Sequence, residues 1–494
     1  MARTSAHQPR PWLALLTITL LLAGCASSVP TPSSPPTTAP APSSGVPTLA
    51  PTPTLLPAAT PTVATVPAGA LQLGDTQPLV ALALKPVTEL TDTGLGDMFP
   101  LDEYPHGCDF DTNWQLTHVD DLRLTWVRLS VDPMEWEIAK AFAMLSRWSI
   151  DPCQDGTITR LAAKGETMLM TIVYWDKTLN ATRPPDYTNE REVQSYLDYA
   201  KFLVDHYKDR IHYWEILNEP VSSLADYLNL VRQAIPVIRG EDPEAKIVAG
   251  GGRDPLTQPD LDWIRGLLRS DVVAQLDGID LHPMYGASPQ YKDTAAYYRG
   301  YPEMIRGFQQ IARDRGFRGE WIAEEMCWRT PLNPNPDEPW TYSPTIAAKY
   351  YARGAVINRG LGLWAGLGGE NYDSIEPIPT VVRNLSSPLE GATPATFDVS
   401  IETQAPNVVS YMFARQDGSK IVALWADGSA ADESVGLPAT VTIDGLAGST
   451  VEAIDVLHGT SQQLITSASN GGLVVKDLLV KDYPTFIRIG ATNG

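Results

Sequence analysis

The sequence predicts a parallel (β/α)8 barrel followed by a small all-β sandwich. Three observations carry this reading. From about residue 90 to 390, short apolar runs alternate with amphipathic stretches of helical period. Strands separated by helices demand a parallel sheet with right-handed crossovers. Eight such units over roughly 300 residues fit a closed barrel. An open doubly wound sheet is the runner-up, but no Gly-rich phosphate loop follows the first strand. Beyond residue 394 the helical period disappears, and short alternating runs with turn residues between them take its place.

In chain order, residues 1–25 form the first segment. Arg3 and Arg10 give a positive start, and Trp12 to Ala23 is an uncharged apolar core. That core is too short to span a bilayer as a mature helix, so it reads as an export signal. It ends Leu21-Leu22-Ala23-Gly24-Cys25, which resembles the bacterial lipobox. The resemblance implies cleavage before Cys25 and a diacylglyceryl group on its thiol, which would anchor an exported protein to the membrane. Residues 26–74 are expected to be a disordered linker. Twelve of the 45 residues from 26 to 70 are proline and none is charged, a composition that favours extended conformations over a packed core.

Residues 75–393 are assigned to the barrel. Its strands are expected near 92–99 and at Thr125–Val131, Thr167–Trp175, Ile211–Leu217, Lys246–Gly250, Gly278–Leu281, Glu320–Ala323 and Leu363–Leu367. Helical patterns between them include Glu190–Tyr207, Leu224–Arg239, Leu261–Leu276, Thr294–Arg315 and Thr345–Arg359. Residues 394–494 are assigned to the sandwich, with turn chemistry at Asp417-Gly418 and Asp427-Gly428.

The formal charge of -21 argues against a nucleic-acid partner, because phosphate binding wants a basic surface. Of four cysteines, Cys108 and Cys153 could pair in an oxidising compartment, which would leave Cys327 as a thiol. The seven His are scattered; no metal-ligand spacing stands out, and no metal or organic cofactor is called for.

In a β/α barrel, catalytic groups sit at the carboxyl ends of the strands. Strand four ends Tyr213-Trp214-Glu215-Ile216-Leu217-Asn218-Glu219-Pro220, and strand seven ends Trp321-Ile322-Ala323-Glu324-Glu325-Met326-Cys327-Trp328. One mouth thus receives carboxylates from two strands. Glycoside cleavage needs such a pair: one protonates the leaving oxygen and the other attacks the anomeric carbon or activates water. Trp214-Glu215-x-x-Asn218-Glu219-Pro220 resembles the strand-four signature of the clan A glycoside hydrolases, and the whole is closest to family 39-like or family 5-like members. The resemblance implies that Glu219 is the acid/base and that a strand-seven Glu is the nucleophile. It further implies that Asn218 bonds the sugar 2-hydroxyl and that Tyr285 and His282, from Asp280-Leu281-His282-Pro283-Met284-Tyr285, line the cleft. Tyr285 would donate to the nucleophile, and Arg128 would support it. Trp364 is expected as a flat platform for a sugar, with Tyr174, Trp175 and Trp328 as further candidates. Asp132, Glu135 and Glu137, after strand two, are expected to be solvated or structural.

Glu324 and Glu325 cannot both face the mouth from a strand, because strand side chains alternate. Counting from Trp321 selects Glu324, and counting back from Trp328 selects Glu325. Glu325 is favoured: its inward face would be shared with Ala323 and Trp321, whereas turning Glu324 inward would also bury Glu320. The expected function is therefore retaining hydrolysis of a β-linked oligo- or polysaccharide. The alternatives are a non-catalytic carbohydrate-binding lipoprotein, or a transglycosylase using the same site.

Overall fold

The computed structural model describes residues 69–74, 77–100, 107–131, 148, 150–174, 176, 179, 185–220, 222–332, 340–368, 375–446 and 449–490. Cys25, Asp132, Glu135, Glu137 and Trp175 lie outside the described residues, as do the apolar signal and most of the proline-rich segment. Among the described residues, no helix is long and apolar enough to cross a membrane.

Eight parallel strands close into a barrel: β1 Leu95–Pro100, β2 Trp126–Val131, β3 Thr167–Ile172, β4 Tyr213–Ile216, β5 Lys246–Val248, β6 Gly278–Leu281, β7 Glu320–Ala323 and β8 Leu363–Gly366. The barrel closes where Leu95 and Gly96 of β1 pair with Ala365 and Gly366 of β8. Each strand is followed by a helix: α1 Cys108–Leu122, α2 Pro152–Lys164, α3 Glu190–Tyr207, α4 Leu224–Glu241, α5 Gln258–Arg269, α6 Lys292–Asp314, α7 Pro344–Gly360 and α8 Ile378–Leu389. Several helices start where a short polar side chain takes an orphan amide. Asn189, Ser223, Thr257 and Ser343 each accept a backbone N–H from the first turn, which satisfies donors that have no intrahelical partner.

The interior of the barrel is built in layers. Trp126, Leu169, Tyr213, Val248, Ile322 and Trp364 form one apolar layer. Two residues farther along their strands, on the same face by the period of the strand, stand Arg128, Thr171, Glu215 and Glu324, joined by Asp280; all five are fully buried. A charged layer thus sits directly on an apolar plug, at the carboxyl-terminal end where β/α barrels carry their chemistry.

The C-terminal residues form two antiparallel sheets. The strands are β9 Thr393–Pro394, β10 Val399–Thr403, β11 Val408–Ala414, β12 Lys420–Ala426, β13 Leu437–Ile443, β14 Val451–Asp455, β15 Thr460–Gln463, β16 Thr466–Ser469, β17 Gly472–Val480 and β18 Thr485–Ile489. One sheet runs β15-β14-β18-β12-β11-β9, with Val80–Ala81 added beyond β15, and the other runs β10-β13-β17-β16. Strand β12 explains how the larger sheet is used. Its Val422 and Leu424 pack into the sandwich core, while Ile421, Ala423 and Trp425 join the core of the barrel. Both faces of that sheet are covered, so β12 reads as an unbroken apolar run rather than an alternation. Buried Arg353 and Lys349 of α7 complete the junction: Arg353 donates to the carbonyls of Gly428, Ala426 and Asp482, and Lys349 pairs with Asp482 at 2.9 Å.

The boundary expected at residue 75 is moved by this packing. Leu71 is fully buried in the sandwich core, Gln72 bonds Gln462, Ile465 and Lys476, and Val80–Ala81 pairs with β15. Residues 71–74 and Val80–Ala81 thus belong to the sandwich, although they precede the barrel in sequence. Leu71→Ala is expected to lower the unfolding free energy by about 2–5 kcal/mol, and a fragment that starts at residue 75 should unfold at lower denaturant than one that starts at 69. Urea denaturation of the three proteins checks this.

Candidate active site

The mouth is assembled from four strand ends. Strand β4 stops at Ile216, and the next residues leave the sheet abruptly. Leu217 and Glu219 have φ of 65° and 39°, a left-handed conformation that costs energy for a side chain larger than glycine. The rigid, buried Pro220 follows. This turn lifts Asn218 and Glu219 onto the rim, where the Glu219 side chain is 63% exposed. Met284, in the loop after β6, is also held at positive φ, 62°.

Arg128 is the centre of the charged layer. Its Nε and Nη2 donate to the two oxygens of Glu215 at 2.8 and 2.9 Å. Its Nη1 donates to Glu325 Oε1 at 2.7 Å, and Nη2 also reaches Asn218 Oδ1 at 2.9 Å. Thr171 donates to Glu215 from the neighbouring strand. Burial opposes the charge on this guanidinium, but Glu215, Glu324 and Glu325 outweigh burial and raise its pKa. A buried pair of this kind adds little against an apolar substitute, yet removing one partner strands the rest, at about 3–5 kcal/mol.

His282, following β6, joins the two rims. Its Nδ1 lies 3.1 Å from Glu219 Oε1, and its Nε2 lies 3.4 Å from both Glu324 Oε2 and Glu325 Oε1. The hydrogen bond from His282 holds the Glu219 carboxyl below the usual carboxylate range. Burial disfavours charge on His282 itself, but Glu325, Glu219 and Glu324 reverse that and raise its pKa. Gly252 makes room for this ring: its φ is +60°, a Cβ there would come within 2.5 Å of His282, and its N–H donates to Asp280 Oδ2 at 2.5 Å.

Strand seven departs from the expected alternation. Ile322, not Ala323, faces the barrel interior, while Trp321 and Ala323 pack outward toward the helices. Glu324 continues the inward face and is fully buried, 3.2 Å from Arg128 Nε. Glu325 reaches the mouth for a different reason: the strand has ended at Ala323, so the two-residue period no longer governs it. Its side chain keeps 9% exposure, whereas Glu324 keeps none. Burial pushes the Glu324 carboxyl up to about 7 despite Arg128. Neither of its oxygens has an aligned hydrogen bond among the described residues.

The aromatic platforms fall away from the mouth. Trp364 is the second residue of β8 and packs against Trp126 and Tyr213 in the apolar layer beneath the charges. Trp328 is 1% exposed, and its Nε1 donates to Ala287 O at 2.8 Å. Tyr174 stacks on Tyr199 at 4.5 Å and meets Trp148 edge-on. Trp328 and Tyr174 are buried, and Trp364 is partly buried on the apolar layer. Tyr285 is half-buried in the loop after β6, near Tyr351. Cys108 and Cys153 form a disulfide between the starts of α1 and α2, and Cys327 is buried against Tyr351.

Glu215 and Asp280 carry no assigned role in the sequence reading, and Glu324 enters it only as the rival of Glu325 for the nucleophile. Each is a carboxylate on an inward position, and for two of them the signal was there: Glu215 interrupts Tyr-Trp-x-Ile and Asp280 interrupts Gly-Ile-x-Leu. A charge inside an apolar strand is the informative exception to burial rules. The three offer oxygens within 4.8 Å of one another, close enough to hold a cation. Arg128 already stands against two of them, so its guanidinium answers much of their charge.

The glycosyl hydrolase family 1 model matches residues 155–233, from α2 through β4 and Glu219 into α4. Solved structures extend the likeness to most of the chain. A family 39 glycoside hydrolase from the gut symbiont Bacteroides cellulosilyticus WH2 is 17% identical, covers 83% of each chain and superposes with a TM-score of 0.58. The barrel has the clan A glycoside hydrolase fold. A family 5 glycoside hydrolase from Bacteroides vulgatus ATCC 8482 is 13% identical over 81% of this chain and 90% of its own, with a TM-score of 0.51. The catalytic domain of a family 30 xylanase C from Talaromyces cellulolyticus is 12% identical over 85% and 99%, with a TM-score of 0.50. No curated protein matches the sequence significantly.

The raised Glu324 pKa makes the stability of this barrel depend on pH in a definite direction. A carboxyl that holds its proton more tightly when folded stabilises the fold fully below its unfolded pKa near 4.5. That contribution is lost as pH rises through about 7. Glu324→Gln, which cannot ionise, should therefore gain stability relative to the wild type as pH rises from 5 to 8, by roughly 3 kcal/mol. Urea melts of both proteins across that range check the slope.

Proposed function

We propose that the protein is a retaining glycoside hydrolase that cleaves a β-linked oligo- or polysaccharide by double displacement. The observation that carries this reading is the convergence of Glu219, from the end of β4, and Glu325, from the end of β7, on one imidazole. Glu325 attacks the anomeric carbon while Glu219 protonates the leaving oxygen, and Glu219 then deprotonates the water that releases the sugar. The environments suit the division of labour. Arg128 pins Glu325, which is nearly buried; a nucleophile that bonds carbon directly needs a fixed position more than access to water. Glu219 stands exposed, where leaving group and water come and go.

Asn218 keeps its Oδ1 on Arg128, so its amide donors serve the sugar 2-hydroxyl. Tyr285 contributes to the same wall and donates toward Glu325. No metal or organic cofactor enters this scheme. The exported location follows from the sequence alone: a lipid on Cys25 holds the enzyme at the membrane, outside the cytoplasm, on a proline-rich tether.

Removing Glu219 should cost about 10²–10⁴-fold on an unactivated substrate. On an aryl β-glycoside panel, azide should rescue Glu219→Ala as the retained β-glycosyl azide and Glu325→Ala as the inverted α-azide, read by NMR of the products. Full activity of Glu219→Ala on a natural substrate would overturn the assignment.

A further inference from the structure

The proposed acid/base lacks its own proton. Glu219 is exposed, and the His282 hydrogen bond, with Arg128 and Arg253 nearby, favours its ionised form. Yet the first half of the reaction needs it protonated. Behind His282, on the side away from Glu219, lies Glu324. It is fully buried, 3.4 Å from Nε2, with no aligned partner for either oxygen. His282 Nε2 also lacks an aligned bond among the described residues. Such bonds are commonly long in an empty site and tighten when the substrate binds.

We propose that Glu324 is a buried proton reserve for Glu219, exchanging a proton with it through the two nitrogens of the His282 ring. This rests on Glu219 being the acid/base. In the outward direction, a proton held between Glu324 and Nε2 settles on Nε2, and the Nδ1 proton passes to Glu219. Glu219 gives that proton to the glycosidic oxygen as the C–O bond breaks and the Glu325–carbon bond forms. Glu324 is left as a carboxylate, and His282 is neutral with its proton on Nε2. In the return direction, water bonds the anomeric carbon, the bond to Glu325 breaks, and the water proton goes to Glu219. Glu219 returns a proton to Nδ1, and Nε2 gives its own back to Glu324. No atom or electron is left over.

The surroundings keep one proton between these groups. Glu324 faces Arg128 from β2, Glu215 from β4, Asp280 and His282 from β6 and its loop, and Glu325 beside it. His282 faces Glu219, Glu324, Glu325, Arg128, Asp280 and, more distantly, Asp254. Both Glu324 and His282 have raised pKa values, which places the shared proton where the reserve needs it near neutral pH. The relay is also timed. Charge on Glu325 helps His282 hold its proton, and that charge disappears as Glu325 bonds the sugar, so the ring yields its proton as Glu219 spends one.

The test compares kcat/KM of the full chain on two β-glycosides of one sugar. One carries an alkyl leaving group that needs protonation, and the other a dinitrophenyl group that does not. Glu324→Gln should lose about tenfold on the alkyl glycoside at pH 7 and at most about twofold on the dinitrophenyl one. The basic limb of its pH profile should move about one unit toward acid. Glu324→Asp, which keeps a titratable carboxyl, should recover much of the loss. Equal losses on both substrates would mark a structural role and overturn the reserve, as would no loss on either. Abolished activity on both would make Glu324 the nucleophile and also overturn it. Glu219→Ala keeps the two levels apart: if it is indifferent to the leaving group, the acid/base reading fails, whereas if it discriminates and Glu324→Gln does not, the reserve alone fails.

Discussion

One guanidinium organises the carboxyl end of this barrel. Arg128 is fully buried, and three of its nitrogens are engaged at once with Glu215, Glu325 and Asn218. These partners come from β4, from the turn after it, and from the turn after β7. A lysine could offer a charge there but not a planar fork with fixed directions. Closing the barrel around Arg128 therefore sets the positions of the groups assigned to catalysis before any substrate arrives. The apolar layer beneath, with Trp126, Tyr213 and Trp364 packed together, keeps water from approaching from below. In such surroundings charges act strongly on one another.

Much of this was legible in the sequence, and the failures have physical causes. Parallel strands buried on both faces are short apolar runs, and those runs stood out; β6 and β7 fall where the pattern put them. The Trp-Glu-x-x-Asn-Glu-Pro run marks the rim at Glu219, in the turn between the end of the strand at Ile216 and Pro220. The alternation argument for Glu325 over Glu324 does not hold, because the strand stops at Ala323 and its inward face is that of Ile322 and Glu324. Glu320 begins the strand and keeps partial exposure, so its parity carried little penalty. Trp364 failed for lack of register. The family resemblance implies a sugar platform there, but pairing with Ile322 places Trp364 low in the barrel. Leu71 was hidden by the composition of its neighbours, since one buried leucine cannot be told from a proline-rich tether without the sheet it enters.

The two sides of the mouth are held by different means. Glu325 is positioned by charge, through Arg128, and hardly touches solvent. Glu219 is positioned by backbone, through the left-handed turn of Leu217 and Glu219, with His282 as its polar contact. Backbone strain of this kind persists only where the surroundings over-determine it, and buried Pro220 and the Arg128–Asn218 bond supply that on either side. A rim carboxylate fixed by its main chain can change protonation without losing its place, as an acid/base must.

The sandwich belongs to the same mechanical problem. Its larger sheet is not a detachable module, because Ile421, Ala423, Trp425 and Phe486 complete the core of the barrel. The contact runs through α7, the helix after β7, whose Lys349 and Arg353 are buried against Asp482 and neighbouring carbonyls. Two buried cations on one helix are stable only with those partners in place. The loop that carries Glu324 and Glu325 therefore lies between a barrel strand and a helix clamped by the sandwich.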